Sequence, residues 1–198
     1  MSILKPAELD ALTEACNIGM GHAATALSQL MGKGVDIEAP RLRLVESAAA
    51  SGVMETEPVL GLSLQILGNV RGSILVLLKE RDARRMLELL LGKDFQGKNL
   101  LSELEVSTLK EIGNILASAC LNALGNMLKM TLLPSIPTLV SGQAGSIVGE
   151  MAGQGSRQEP VVMVDTVFSI SEALCGGSLF LMPAKESLAA IVAGLGAR

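Results

Sequence analysis

Glutamate and asparagine three residues apart, with an acidic or small polar residue four positions earlier, occur twice in this chain. The first set is Asp10, Glu14 and Asn17, and the second is Ser107, Glu111 and Asn114. On a helix, positions i, i+4 and i+7 share one face, so each set presents a carboxylate and a carboxamide in a row. The row runs on into a small residue, Gly21 in the first set and Ser118 in the second, which leaves room for a partner group to project. A carboxylate can pair with a lysine or orient a donor. A carboxamide both donates and accepts, so it can hold a water in one orientation, but it is no strong general base. The reaction that needs orientation more than proton abstraction is hydrolysis of a phosphoryl group whose metal ion is already in place. Asparagine is also a mediocre helix former, because its side chain competes for nearby backbone groups. Two of them at matching mid-helix positions point to a use other than helicity.

The elements that must hold these rows repeat as well. In both copies 22 residues separate the asparagine from a proline, Pro40 and Pro137. A shift of 97 aligns Leu12 with Leu109, Ile18 with Ile115, Ala26 with Ala123 and Leu42 with Leu139. Further on the shift grows, to 102 between Glu57-Pro58-Val59 and Glu159-Pro160-Val161, and to 105 between Gly72-Ser73 and Gly177-Ser178. This is an internal duplication with small insertions in the second copy. Each half is expected to open with a long helix, over residues 6–31 and 102–128. Pro6 suits a first turn, Ser102 with Glu105 forms a capping box, and Gly32 and Gly34 end the first helix. Extended segments follow at 35–46, 58–67 and 71–79, and at 138–148, 160–171 and 176–182. Shorter helices close the halves at 81–92 and 184–194. The stretch from Gly92 to Leu101 is the natural joint, and the glycine-rich stretch from Gly142 to Gln158 reads as a loop or hairpin. Hairpin-like strand spacing favours an antiparallel sheet. The expectation is therefore an α+β fold: one domain over 1–198, made of pseudo-symmetric halves 1–95 and 96–198, with a largely antiparallel sheet flanked by two long helices. Strand order does not follow from the pattern.

Composition narrows the function. Of the 198 residues 49% are apolar and mean hydropathy is +0.46, which supplies a large core and excludes disorder. No apolar run reaches the roughly 18 to 20 residues of a membrane span. Pro6, Glu8 and Asp10 interrupt any signal-peptide stretch, so the cytoplasm is the expected location. The net charge is -4 and the chain has no Trp, no Tyr and only three Phe, a poor basis for nucleic-acid binding. Cys16, Cys120 and Cys175 are scattered and expected to be reduced thiols.

Other signals fail on context. Gly19 to Ala24 matches a GxGxxA dinucleotide fingerprint, but it falls within a helix instead of after a strand. His22 is the only histidine and reads as structural; with one His, three isolated Cys and no carboxylate cluster a zinc site has no ligand set, and nothing in the sequence supports a Ser-His-Asp triad. Lys79, Arg81, Arg84 and Arg85 read as a solvated helix face, with contact to an acidic partner as the alternative. The ten methionines read as core filler.

The pattern Asp or Ser, x3, Glu, x2, Asn, x22, Pro resembles the signature of the CheC–CheX–FliY family of chemotaxis phosphatases. It is complete in both halves, and two copies without an appended domain are similar to the CheC type within that family. The resemblance implies dephosphorylation of a phosphorylated CheY-like response regulator, which supplies the phosphoaspartate and its bound Mg²⁺; no cofactor is expected on this chain. It implies that Asn17 and Asn114 orient the attacking water and that Glu14 and Glu111 engage the partner's lysine. Asp10 and Ser107 are then rim residues that help orient the others, while Pro40 and Pro137 are structural. It implies the receptor deamidase CheD as a further partner. Leu116 stands where the first half has Gly19, so the two sites are expected to differ. The alternative is a docking protein that binds CheY or CheD without catalysis, and the asparagines separate the two readings.

Overall fold

In the computed structural model, residues 5–46, 58–92, 101–153, 160–170 and 173–196 are described. The first half runs α1 (Pro6–Met31), β1 (Val35–Ile37), β2 (Arg41–Glu46), β3 (Pro58–Gly68), β4 (Gly72–Lys79) and α2 (Glu80–Leu91). The second runs α3 (Glu103–Leu128), β5 (Leu132–Pro134), β6 (Thr138–Gln143), α4 (Ala144–Gly153), β7 (Pro160–Ile170), β8 (Ala173–Pro183) and α5 (Lys185–Gly196). Most of the expected joint between the halves, and Glu57 and Glu159 of the repeat, lie outside the described residues.

The two long helices begin and end by related means. The Lys5 backbone N–H donates to the Glu8 carboxylate at 2.7 Å, and the Ser102 N–H donates to Glu105. Glu8 and Glu105 are 97 residues apart and both are buried, each satisfying a donor that a helix start would otherwise orphan. At the other end Gly32 adopts a left-handed conformation at φ 60°, and its counterpart Lys129 does the same at φ 55°. Lysine pays a steric cost there that glycine avoids.

Among the described residues eight strands form one sheet, antiparallel at every pairing, in the order β1-β7-β8-β4-β3-β5, with β2 beside β7 and β6 beside β3. The halves interlock: β1 and β2 pair with β7 of the second half, and β5 and β6 pair with β3 of the first. The register corrects one equivalence. Leu60 pairs with Leu78, and Val162, 102 residues beyond Leu60, pairs with Leu181. Leu78 and Leu181 are therefore equivalent at a shift of 103, so Gly72-Ser73 and Gly177-Ser178 are not counterparts. The shift reaches 105 only at the closing helices, Glu80 against Lys185.

Strand alternation sends side chains to two faces. Leu62, Leu64, Ile66, Ile74, Val76 and Leu78 meet Leu12, Met20 and Leu27 of α1, Ile112 and Leu116 of α3, and apolar residues of α2 and α5 in the main core. Leu75, Leu77, Met163 and Phe180 point the other way and meet α4. Here the sequence reading was wrong in part: 144–153 is a helix, not a loop or strand. Ala144, Ile147, Val148 and Met151 stand at i, i+3, i+4 and i+7, an amphipathic spacing that Gly145, Ser146 and Gly149 masked. The single extended segment 35–46 is broken into β1 and β2 by residues 38–40, and β5 was not anticipated.

Candidate functional site

The site is built on the faces of α1 and α3 that point away from the core. Buried positions of α1 (Leu12, Cys16, Gly19, Ala23, Leu27) define one side of the helix. Asp10, Glu14, Asn17 and Gly21 fall on the other and are all exposed. On α3 the buried side is Leu109, Ile112, Leu116, Cys120 and Leu124. Opposite lie Ser107 and Glu111, exposed, with Asn114 and Ser118 half-buried. The structure thus brings each set of four into one row, one row per long helix.

The rows are chemically unspent. Among the described residues, the side chains of Asp10, Glu14, Asn17, Ser107 and Glu111 make no hydrogen bond or ion pair. Asn114 accepts one contact, from the Ser118 hydroxyl at 3.5 Å. Carboxylates and carboxamides left open on a rigid helix can bind an incoming partner without first breaking internal bonds.

Pro40 and Pro137 are not on the helices that carry the rows. Both are buried, and each stands directly before a strand, β2 and β6. Gly19 does not flank the first row as the sequence suggested. It is buried where α1 crosses α3, and a Cβ there would sit 2.9 Å from the Cα of Cys120. Its counterpart Leu116 is likewise in the core, so this pair sets helix packing, not site chemistry. Ile18 was paired with Ile115 in the repeat but not weighed as a site residue. It follows Asn17 on α1 and is 46% exposed, an apolar group at the edge of the first row that no sequence signal marks as unburied.

The remaining candidates behave as solvated or structural groups. Arg81, Arg84 and Arg85 pair with Asp82, Glu80 and Glu88 of their own helix. The GxGxxA match lies within α1. The Cys16 thiol, hydrogen-bonded to Cys120 and buried, is held well above the ordinary thiol range. Burial, with the Asp82 carboxylate, pushes Cys175 up to about 11. Among the described residues no helix is long and apolar enough to cross a membrane.

These features define the class as a duplicated α+β fold, one interlocked antiparallel sheet with an outward Glu/Asn row on each of its two long helices. The sequence model of the CheC-like family matches residues 8–43, which contain the whole first motif through Pro40. CheY-P phosphatase CheC of Bacillus subtilis (strain 168) is 31% identical over 202 aligned residues, covering 98% of this chain and 96% of its own. The chain belongs to the CheC-like family. Among solved structures, Thermotoga maritima FliY superposes with a TM-score of 0.80 at 18% identity, covering 98% of both chains. The FliM middle domain from H. pylori superposes with a TM-score of 0.72 at 14% identity, covering 96% of this chain and 99% of that one. These two likenesses speak to the fold.

Proposed function

We propose that this protein hydrolyses the phosphoaspartate of a CheY-type response regulator, using each row as an independent insert into the partner's active site. The observation that carries this reading is the pair of outward Glu/Asn rows, in which neither glutamate has a partner among the described residues. They stand on a chain similar over nearly its whole length to a CheY-P phosphatase.

The partner brings the phosphoaspartate and its Mg²⁺, which supplies the charge stabilisation of phosphoryl transfer. The rows supply position. Glu14 or Glu111 pairs with a lysine of the partner and fixes the docked geometry. Asn17 or Asn114 then reaches the phosphoryl group, and its carboxamide holds a water in line with the bond to the aspartate. Attack by the water oxygen on phosphorus breaks that bond, releasing inorganic phosphate and restoring the carboxylate. Asp10 and Ser107, one turn earlier on the same face, contact the rim of the docked partner. CheD is a second partner in this reading, tested by adding it to the same assay.

The test is decay of the phosphorylated regulator in Mg²⁺, with this protein substoichiometric. Many turnovers per molecule are expected. The double variant Asn17→Ala/Asn114→Ala is expected to lose the acceleration while still binding. Parent-rate hydrolysis by that variant would remove the water-orienting role. Binding by the parent protein without acceleration would establish the docking alternative.

A further inference from the structure

Four residues beyond each asparagine, the rows differ: Gly21 in the first and Ser118 in the second. The four other helix hydroxyls that are hydrogen-bonded within α1 and α3, those of Thr13, Thr25, Ser28 and Thr108, donate to the backbone carbonyl four residues back. That is the usual resting place for a helical hydroxyl. Ser118 departs from it and donates to the side-chain Oδ1 of Asn114 instead, at 3.5 Å. The first row has no such donor, since Gly21 carries no side chain and Asn17 is exposed without a partner among the described residues.

We propose that Ser118 is a positioning residue that orients the Asn114 carboxamide, so that the second site is preorganised while the Asn17 carboxamide turns freely. This rests on the phosphatase reading above for its catalytic consequence. A carboxamide oxygen has two lone pairs. With one turned towards the Ser118 hydroxyl, the other faces outward to accept a proton of the attacking water, and the two amide hydrogens point to the opposite side. The contact is long in the free protein, and such contacts tighten when a partner docks. Orientation fixed before docking lowers the cost of reaching the reactive geometry. The first site can be given the same device: a Cβ at Gly21 meets nothing within 4 Å, so a serine fits there without displacing a neighbour.

Two readouts test this. Turnover is measured with each site alone, the second in an Asn17→Ala background and the first in Asn114→Ala. In the second site Ser118→Ala is expected to lower kcat about 3- to 10-fold, the worth of one neutral hydrogen bond, with KM unchanged. Ser118→Thr is expected to restore it. In the first site Gly21→Ser is expected to raise kcat by a similar factor. Independently, ¹⁵N relaxation of the side-chain carboxamides in the free protein is expected to show Asn114 more ordered than Asn17. Ser118→Ala should erase that difference. Equal order at both asparagines, or a kcat that is unchanged or rises in Ser118→Ala, would overturn the proposal. If no protein in the series hydrolyses the regulator, the phosphatase reading fails, and the relaxation data still decide whether Ser118 holds Asn114.

Discussion

Gly19 and Gly21 lie two residues apart on α1, yet alanine is expected to act on them with opposite sign. Both are mid-helix, so replacing either removes the roughly 1 kcal/mol by which glycine disfavours a helix relative to alanine. At Gly21 that gain stands alone, because the new methyl group meets nothing within 4 Å. At Gly19 it would lie 2.9 Å from Cys120 Cα, 3.1 Å from the Ala119 carbonyl oxygen and 3.3 Å from the Cys120 nitrogen. All three are backbone atoms of α3 and none can rotate aside. Bringing the closest carbon pair to an ordinary separation of about 3.5 Å forces the helices apart by roughly 0.6 Å. Overpacking of this kind costs about 1–3 kcal/mol, which offsets the propensity gain and leaves a loss of up to about 2 kcal/mol. The difference between the two variants is the more secure quantity, about 1–3 kcal/mol. With a urea dependence of about 2 kcal/mol per molar, the unfolding midpoints should separate by about 0.5–1.5 M, Gly21→Ala above the parent and Gly19→Ala at or below it. Two midpoints rising together would refute the close crossing of α1 and α3, and with it the placement of the two rows on one packed pair of helices.

Further outcomes are expected. Glu14→Ala/Glu111→Ala should weaken binding to a beryllofluoride-activated regulator by about tenfold or more per site, since a charge-assisted contact contributes roughly 1.5–3 kcal/mol; titration calorimetry showing unchanged affinity would remove the lysine-pairing role. Stability should fall as pH rises from about 8.5, where an unfolded thiol ionises, towards about 11, where folded Cys175 does; the folded state then holds the extra proton, so the slope is negative. With no tyrosine in the chain to titrate over that window, Cys175→Ala should reduce the slope of the urea midpoint against pH, leaving the part contributed with the same sign by the raised Cys16 thiol; an unchanged slope would contradict the Cys175 thiol's burial. Because β5 and β6 pair with β3 of the other half, a chain of residues 101–198 should be dimeric when folded, its β6 taking β7 of a second copy. A folded monomer in sedimentation equilibrium would refute the interlocked equivalence of the halves.

What was legible in the sequence followed from local rules. The long helices could be read because Pro6, Ser102 with Glu105, and Gly32 mark their ends, and because Glu14/Asn17 and Glu111/Asn114 fall at helical spacing against a buried stripe. The rows were legible for the same reason, since facing is a property of one helix. What failed was non-local. Gly19 looked like a neighbour of Asn17 because the two are close in sequence, but a two-residue step turns a helix through about 200° and delivers Gly19 to the opposite face. Leu132–Pro134 was passed over because a three-residue strand carries too little alternation to be seen without its partner β3. Helix α4 was read as a loop because its glycines signal a turn, whereas packing against Leu75, Leu77 and Phe180 stabilises the helix over that preference. Strand order depended on cross-half pairing, which no single segment encodes.

The fold leaves the activity open, and in the proposed function it is the helix rows that decide it. The same architecture at TM-score 0.72 belongs to the FliM middle domain at 14% identity, so a layer of two crossed helices on an antiparallel sheet is compatible with very different sequences. Its demands fall on the inward faces: Gly19 against Cys120, the apolar stripes of α1 and α3, and the buried Glu8 and Glu105 that cap them. The outward faces carry none of that burden. Asp10, Glu14, Asn17, Ser107 and Glu111 are exposed and cap neither helix, so their identities are free to follow a partner's chemistry. Single substitutions at Glu14 or Glu111 should therefore change binding and rate while moving stability by no more than about 0.5 kcal/mol, the usual range for surface positions. A glutamate variant that lost activity only in proportion to lost folded protein would place the function elsewhere on the molecule.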